Sequence, residues 1–85
     1  LLPMVEVLEF GANKYGEFNW AKGLSVKEIC ESLKRHLDAF MEGEDNDKES
    51  LLSHVGHIQC NALFLSWMMQ NRVDLDDRIN LKDLK

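Results

Sequence analysis

The stretch SVKEICESLKRHLDAFMEG, Ser25 to Gly43, decides the fold. Ser25 followed by Glu28 is a capping box, in which each side chain satisfies a free backbone N–H of a helix's first turn. Behind it, Val26, Ile29, Cys30, Leu33, Leu37, Phe40 and Met41 recur at steps of three and four. That spacing lays one apolar stripe along one side of a helix. Gly43 closes it, since glycine accepts the left-handed backbone with which helices commonly end.

Working outward, residues 42–50 form an acidic connection, and Asp47 is a good N-cap for a second long helix running to about Gln70. Its expected core face is Leu51, Val55, Ile58, Ala62, Leu65 and Met69, broadened by Leu52, Leu63, Phe64, Trp67 and Met68. Upstream, Pro3 suits a first helical position, and Met4, Val5, Val7, Leu8 and Phe10 read as a short apolar helix. Gly11 and Gly16 bracket a turn, and residues 14–24 lack helical period, so an aromatic-rich loop is expected there. The tail from Arg72 to Lys85 reads as a last short helix or a partner-dependent arm. The fold class is therefore all-α: two longer antiparallel helices, with a short N-terminal helix packed on them.

Eighty-five residues make one small domain, 1–85, with 67–85 as helix end and tail. A chain this short buries only about 60% of its unfolded surface. With 45% hydrophobic residues, its apolar surface points to completion by a homo-oligomer, a dimer or larger. Ten Lys and Arg against fifteen Asp and Glu give a net charge of −5, which weighs against a nucleic-acid polymer as partner. Small nucleotides remain, because they arrive with their own metal. No apolar run reaches the roughly 20 residues of a membrane span, and no signal peptide is evident. Two cysteines, Cys30 and Cys60, are too few for a disulfide scaffold and read as reduced core residues in a cytoplasmic protein. The chain starts at Leu1 without a methionine, as expected of a piece of something longer.

Ser50, His54, His57 and Asn61 recur at steps of four, three and four, so on the second helix they share a face beside the core stripe. His36 lies on the facing helix. Two imidazoles at i and i+3 can converge on one metal ion or phosphate, or they can hydrogen-bond across the helix pair and fix its register. Glu44, Asp45, Asp47 and Glu49 offer oxygens to a divalent cation, or simply solvate the turn and favour the helix dipole. The pairs Glu6/Glu9 and Glu28/Glu31 have helical spacing, but Glu28 and Glu31 fall on the wet side of their helix. Lys14, Tyr15, Asn19, Trp20 and Lys22 bring rings, an amide and positive charge together, suiting a stacked base and a phosphate or the plug of a small core. Arg35, next to His36 on that facing helix, is a phosphate donor, or else a partner for Glu31 or Asp38.

Five fragments carry a resemblance. They are Phe10-Gly-Ala-Asn-Lys-Tyr-Gly16, Asn19-Trp20-x-Lys-Gly23, Arg35-His36-Leu37, Gly43-Glu-x-x-Asp47-x-Glu-Ser50 and His54-x-x-His57-x-x-x-Asn61-Ala-Leu-Phe-Leu65. In this order they resemble the phage and prophage dATP/dGTP diphosphohydrolase-type domain family, over roughly residues 1–66. That family looks distantly similar to the all-α MazG-like pyrophosphohydrolases. The resemblance implies a phage protein in the host cytoplasm that splits a purine deoxynucleoside triphosphate to monophosphate and pyrophosphate. A non-catalytic nucleotide-binding or nucleotide-signal-sequestering module is the alternative, and an oligomerisation module a third. The resemblance also implies a divalent metal, Mg²⁺ or Mn²⁺ foremost with Fe²⁺ or Zn²⁺ possible, near Glu44, Asp47, His54 and His57. His36 joins His54 and His57 as catalytic. Lys14, Tyr15, Asn19, Trp20, Lys22, Arg35 and Asn61 would hold the nucleotide. MazG-like enzymes place a Glu-x-x-Asp where this chain has histidines, and imidazole suits Mn²⁺, Fe²⁺ or Zn²⁺ better than Mg²⁺.

Overall fold

A computed structural model describes residues 2–16 and 23–78. Among the described residues three helices run α1 (Leu2–Tyr15), α2 (Val26–Met41) and α3 (His54–Asn71), followed by a 3-10 turn, Val73–Leu75. Helix α3 is central, with α2 and α1 both packed on it. The pairings His36–His54 and Ser32–Asn61 run in opposite directions along the chain, so α2 and α3 are antiparallel. Among the described residues there is no strand, and the all-α expectation holds.

Helix α2 follows its sequence signals at both ends. The Ser25 hydroxyl accepts from the Glu28 N–H at 3.2 Å. The next free donor, the Lys27 N–H, is met by the Asp77 carboxylate at 2.8 Å, so the tail folds back over the start of α2. At the other end Gly43 takes φ 101°. Its N–H donates to the Phe40 carbonyl and the Glu44 N–H to the Ala39 carbonyl, the paired bonds of a Schellman cap.

Two boundaries differ from expectation. Helix α1 runs straight through Gly11 and ends only at Gly16, whose φ is 94°, so Gly11 brackets no turn. Helix α3 begins at His54, not at Asp47. Its cap is Ser53, whose hydroxyl accepts from the Gly56 N–H at 3.2 Å. Asp47 caps a separate turn instead, accepting from the Ser50 N–H at 2.9 Å and the Ser50 hydroxyl at 3.0 Å. Leu51, at φ 62°, breaks the helical path between the two caps. Ser50 therefore lies outside the helix it was expected to share with the histidines.

The core also lies on a different side of α3. Buried positions are His54, Gly56, Cys60, Asn61 and Met68, joined by Val26 and Ile29 of α2 and Val7 of α1. Of the expected face, Leu51 is 75% exposed, and Val55, Ala62 and Met69 are also exposed. The polar row is itself the inward face. On α2 Val26 and Ile29 are buried and Cys30 and Leu33 half-buried, but Leu37, Phe40 and Met41 reach solvent, and His36 takes the inward position at that level. Among the described residues, no helix is long and apolar enough to cross a membrane.

Gly56 is where α1 meets α3. A Cβ there would lie 2.6 Å from the Pro3 carbonyl oxygen, so only glycine permits this approach. One turn further on, the buried Cys60 thiol donates to the Met4 carbonyl at 3.2 Å. Burial pushes that thiol up to about 11, leaving it an inert core group, as the sequence suggested.

Candidate functional site

The inward face of α3 brings all three histidines together. His36 Nδ1 lies 2.9 Å from His54 Nδ1. The His36 ring stacks on His57 with centroids 4.2 Å apart and planes 2° from parallel. His54 is 2% exposed, and its Nε2 contacts a Glu44 carboxylate oxygen at 2.7 Å. His57 Nε2 meets the Ser50 hydroxyl at 2.8 Å, and that hydroxyl binds Asp47. The acidic turn and the helix pair thus form one continuous polar network, which satisfies the groups that burial would otherwise penalise.

Charge in this cluster follows from its surroundings. Burial, with His57 and His54 as neighbouring positive charges when protonated, pulls the His36 imidazole down to about 4. Burial also lowers His57. Both rings are therefore neutral at pH 7, the form that can accept a proton or ligate a metal. For Asp47, burial works to raise the carboxyl. The Ser50 N–H and hydroxyl, with the two histidines behind them, outweigh it and hold the group below its ordinary value.

Ligand atoms of His36, Asp47 and His54 all lie within 4.8 Å of one another. Two imidazoles and a carboxylate form a borderline donor set, suited to Mn²⁺, Fe²⁺ or Zn²⁺. This set includes His36, which the sequence reading counted as catalytic but not as a ligand. Glu44 and His57, expected as ligands, instead touch the rim of the set, Glu44 through the other nitrogen of His54.

The cluster lines a cleft of about 1050 Å³ between α1 and the α2–α3 pair. Apolar groups, among them Val5, Leu8, Leu24, Ile29 and Phe64, share that lining. Arg35 and Asn61 line it too. Arg35 is exposed and, among the described residues, pairs with neither Glu31 nor Asp38. Asn61 is 7% exposed and donates to Ser32 at 3.3 Å. Tyr15 also lines the cleft. Lys14 pairs with Glu49 and sits 5.1 Å from the Tyr15 ring centroid, and its Glu49 hydrogen bond raises its pKa. The expected contributions of Asn19, Trp20 and Lys22 fall outside the described residues.

Sequence reasoning missed two features. Ser32 was assigned no role, though the Asn61 contact follows from the antiparallel register. Glu28 and Glu31, placed on the wet side, are exposed but line the cleft, because α1 leaves that side of α2 uncovered.

Comparison with known proteins agrees with the motifs. The profile of the dATP/dGTP diphosphohydrolase N-terminal domain matches residues 1–78. A dATP/dGTP diphosphohydrolase of Salmonella phage PMBT28 is 35% identical over 75 residues, covering 88% of this chain. The chain spans 26% of that relative's length. No solved structure matches. With its histidine row, acidic turn and Lys14-Tyr15-Gly16 segment all inside the matched span, the chain belongs to the dATP/dGTP diphosphohydrolase N-terminal domain family.

Proposed function

We propose that this domain carries the catalytic centre of a metal-dependent hydrolase acting on a purine deoxynucleoside triphosphate. The observation that carries the reading is the His36, Asp47 and His54 donor set in the wall of a cleft large enough for a nucleotide. Water attacks the α-phosphorus, the bond to the bridging oxygen breaks, and pyrophosphate leaves with the monophosphate remaining. A divalent ion bound by His36, Asp47 and His54 supplies Lewis acidity toward the phosphate and lowers the pKa of water.

The chain's own residues do the rest. Arg35 sits one residue from His36 and offers a planar fork to phosphate oxygens. His57, neutral at pH 7 and fixed between His36 and Ser50, is placed to take a proton from water. The apolar lining of the cleft receives the base, with Asn61 and Tyr15 among the groups that surround it. Lys14 reaches the phosphates on exchanging its Glu49 partner.

The test is chromatographic. The protein is incubated with dNTPs and NTPs in Mg²⁺, Mn²⁺ or EDTA, and the nucleotides are resolved. Metal-dependent conversion of a purine dNTP to its monophosphate is expected, lost in His54→Ala. Nucleotides that stay intact at high protein would overturn the hydrolase reading for this chain, and stoichiometric binding with ligand recovered whole would replace it with a nucleotide-binding module.

A further inference from the structure

Donors and acceptors in the histidine cluster can be assigned atom by atom. A carboxylate only accepts, so the 2.7 Å contact with Glu44 requires a proton on His54 Nε2. A His54 that holds one ring proton, kept on Nε2, then carries a lone pair on Nδ1, the atom 2.9 Å from His36 Nδ1. Two lone pairs do not face each other at that distance, so His36 Nδ1–H donates and its Nε2 is left bare. The second chain works the same way. The Ser50 hydroxyl proton goes to Asp47, at 3.0 Å, and its oxygen already accepts the Leu52 N–H at 3.2 Å. His57 Nε2, 2.8 Å from that oxygen, must therefore donate, which leaves a lone pair on His57 Nδ1.

We propose that Glu44 and Ser50 are positioning residues that fix His54 and His57 as Nε2–H tautomers, and that a divalent cation entering the His36–His54 contact switches His36 from its Nδ1–H to its Nε2–H tautomer. The second half rests on the metal reading above; the first does not. The proton balance closes. His36 Nδ1 gives its proton to water as the cation takes its lone pair, and Nε2 takes one back, so no net proton is released. Glu44 acts only through His54: its carboxylate orients the ring and makes Nδ1 the more basic donor, the usual role of an acid behind a metal-binding histidine.

Long-range proton–nitrogen NMR correlation at pH 8 reads each tautomer directly. In EDTA, His54 and His57 are expected as Nε2–H and His36 as Nδ1–H. Adding Zn²⁺, which is diamagnetic, moves His36 to Nε2–H. Glu44→Leu frees the His54 tautomer and weakens Zn²⁺ binding about ten- to a hundredfold, whereas Glu44→Gln, whose amide oxygen still accepts, keeps the tautomer. An Nδ1–H tautomer for His54 or His57 in the unaltered protein overturns the proposal without any variant. So does a Glu44→Leu protein with unchanged tautomers and affinity. If Zn²⁺ leaves the unaltered spectrum untouched while the EDTA tautomers are as stated, the metal reading and the His36 switch fall, and the roles of Glu44 and Ser50 stand.

Discussion

Gly56→Ala and Gly11→Ala form a matched pair whose outcomes should have opposite sign. Both glycines are helical, so each gains about 1 kcal/mol of helix propensity on becoming alanine. At Gly11 a new Cβ meets nothing within 4 Å. At Gly56 it lies 2.6 Å from the Pro3 carbonyl oxygen and 2.9 Å from the carbonyl carbon. Both neighbours are backbone, so relief requires the start of α1 to move by somewhat under ~1 Å, and overpacking of this kind costs about 1–3 kcal/mol. Gly11→Ala is therefore expected to stabilise by up to about 1 kcal/mol. Gly56→Ala should be neutral to destabilising by about 2 kcal/mol, which for a domain this size is on the order of ten degrees in Tm. Urea unfolding of the two variants in one buffer measures the difference. If Gly56→Ala stabilises as much as Gly11→Ala, α1 does not pack on α3 through Pro3, and the wall of the cleft is wrongly placed.

Further expectations concern the site and the helix ends. In EDTA, stability should fall as pH drops from 6.5 toward 4. The unfolded chain takes protons on His36 and His57 that the folded cluster refuses, so the contribution is complete above 6.5 and is lost on acidification. For His36, discounted for its partial exposure, that is about 1 kcal/mol by pH 5, and urea titrations of His36→Asn should show a flatter profile. Arg35→Ala should raise KM for the triphosphate while leaving the fold unchanged; an unaltered KM with full turnover would remove Arg35 from the phosphate site. Ser25→Ala should cost about 1 kcal/mol of stability through the lost bond to the Glu28 N–H, and a loss below ~0.3 kcal/mol would mean that Asp77 caps α2 alone.

How far the sequence could be read depended on whether local chemistry had one solution. Ser25 and Gly43 have little else to do, and α2 begins and ends where they say. Asp47 illustrates the opposite case. An aspartate binding the N–H three residues on serves an isolated turn as well as a helix cap, and the two diverge only at Leu51. Leucine gives no sign of a left-handed backbone. Helix α3 hid its inward face for a different reason. Leu63, Phe64, Leu65, Trp67, Met68 and Met69 surround it with apolar groups, so periodicity could not choose a side. The choice fell to His54 and Asn61, whose partners Glu44 and Ser32 are visible only in three dimensions. The histidines were legible as a group because helical spacing brings them together. Their division into His36 and His54 as facing donors and His57 as a stacked neighbour depends on ring orientation, which spacing does not encode.

The way α1 is attached has a dynamic consequence. It packs on α3 near Gly56 and Cys60 and reaches the acidic turn through the exposed Lys14–Glu49 pair, while the cleft separates it from much of α2. Among the described residues α1 is held along one edge, so its amides should exchange with solvent deuterium well before those of the central helices. A molecule filling the cleft would strut α1 against α2. Slowed exchange confined to α1 would then register occupancy of the cleft whether or not any bond in the ligand is ever broken.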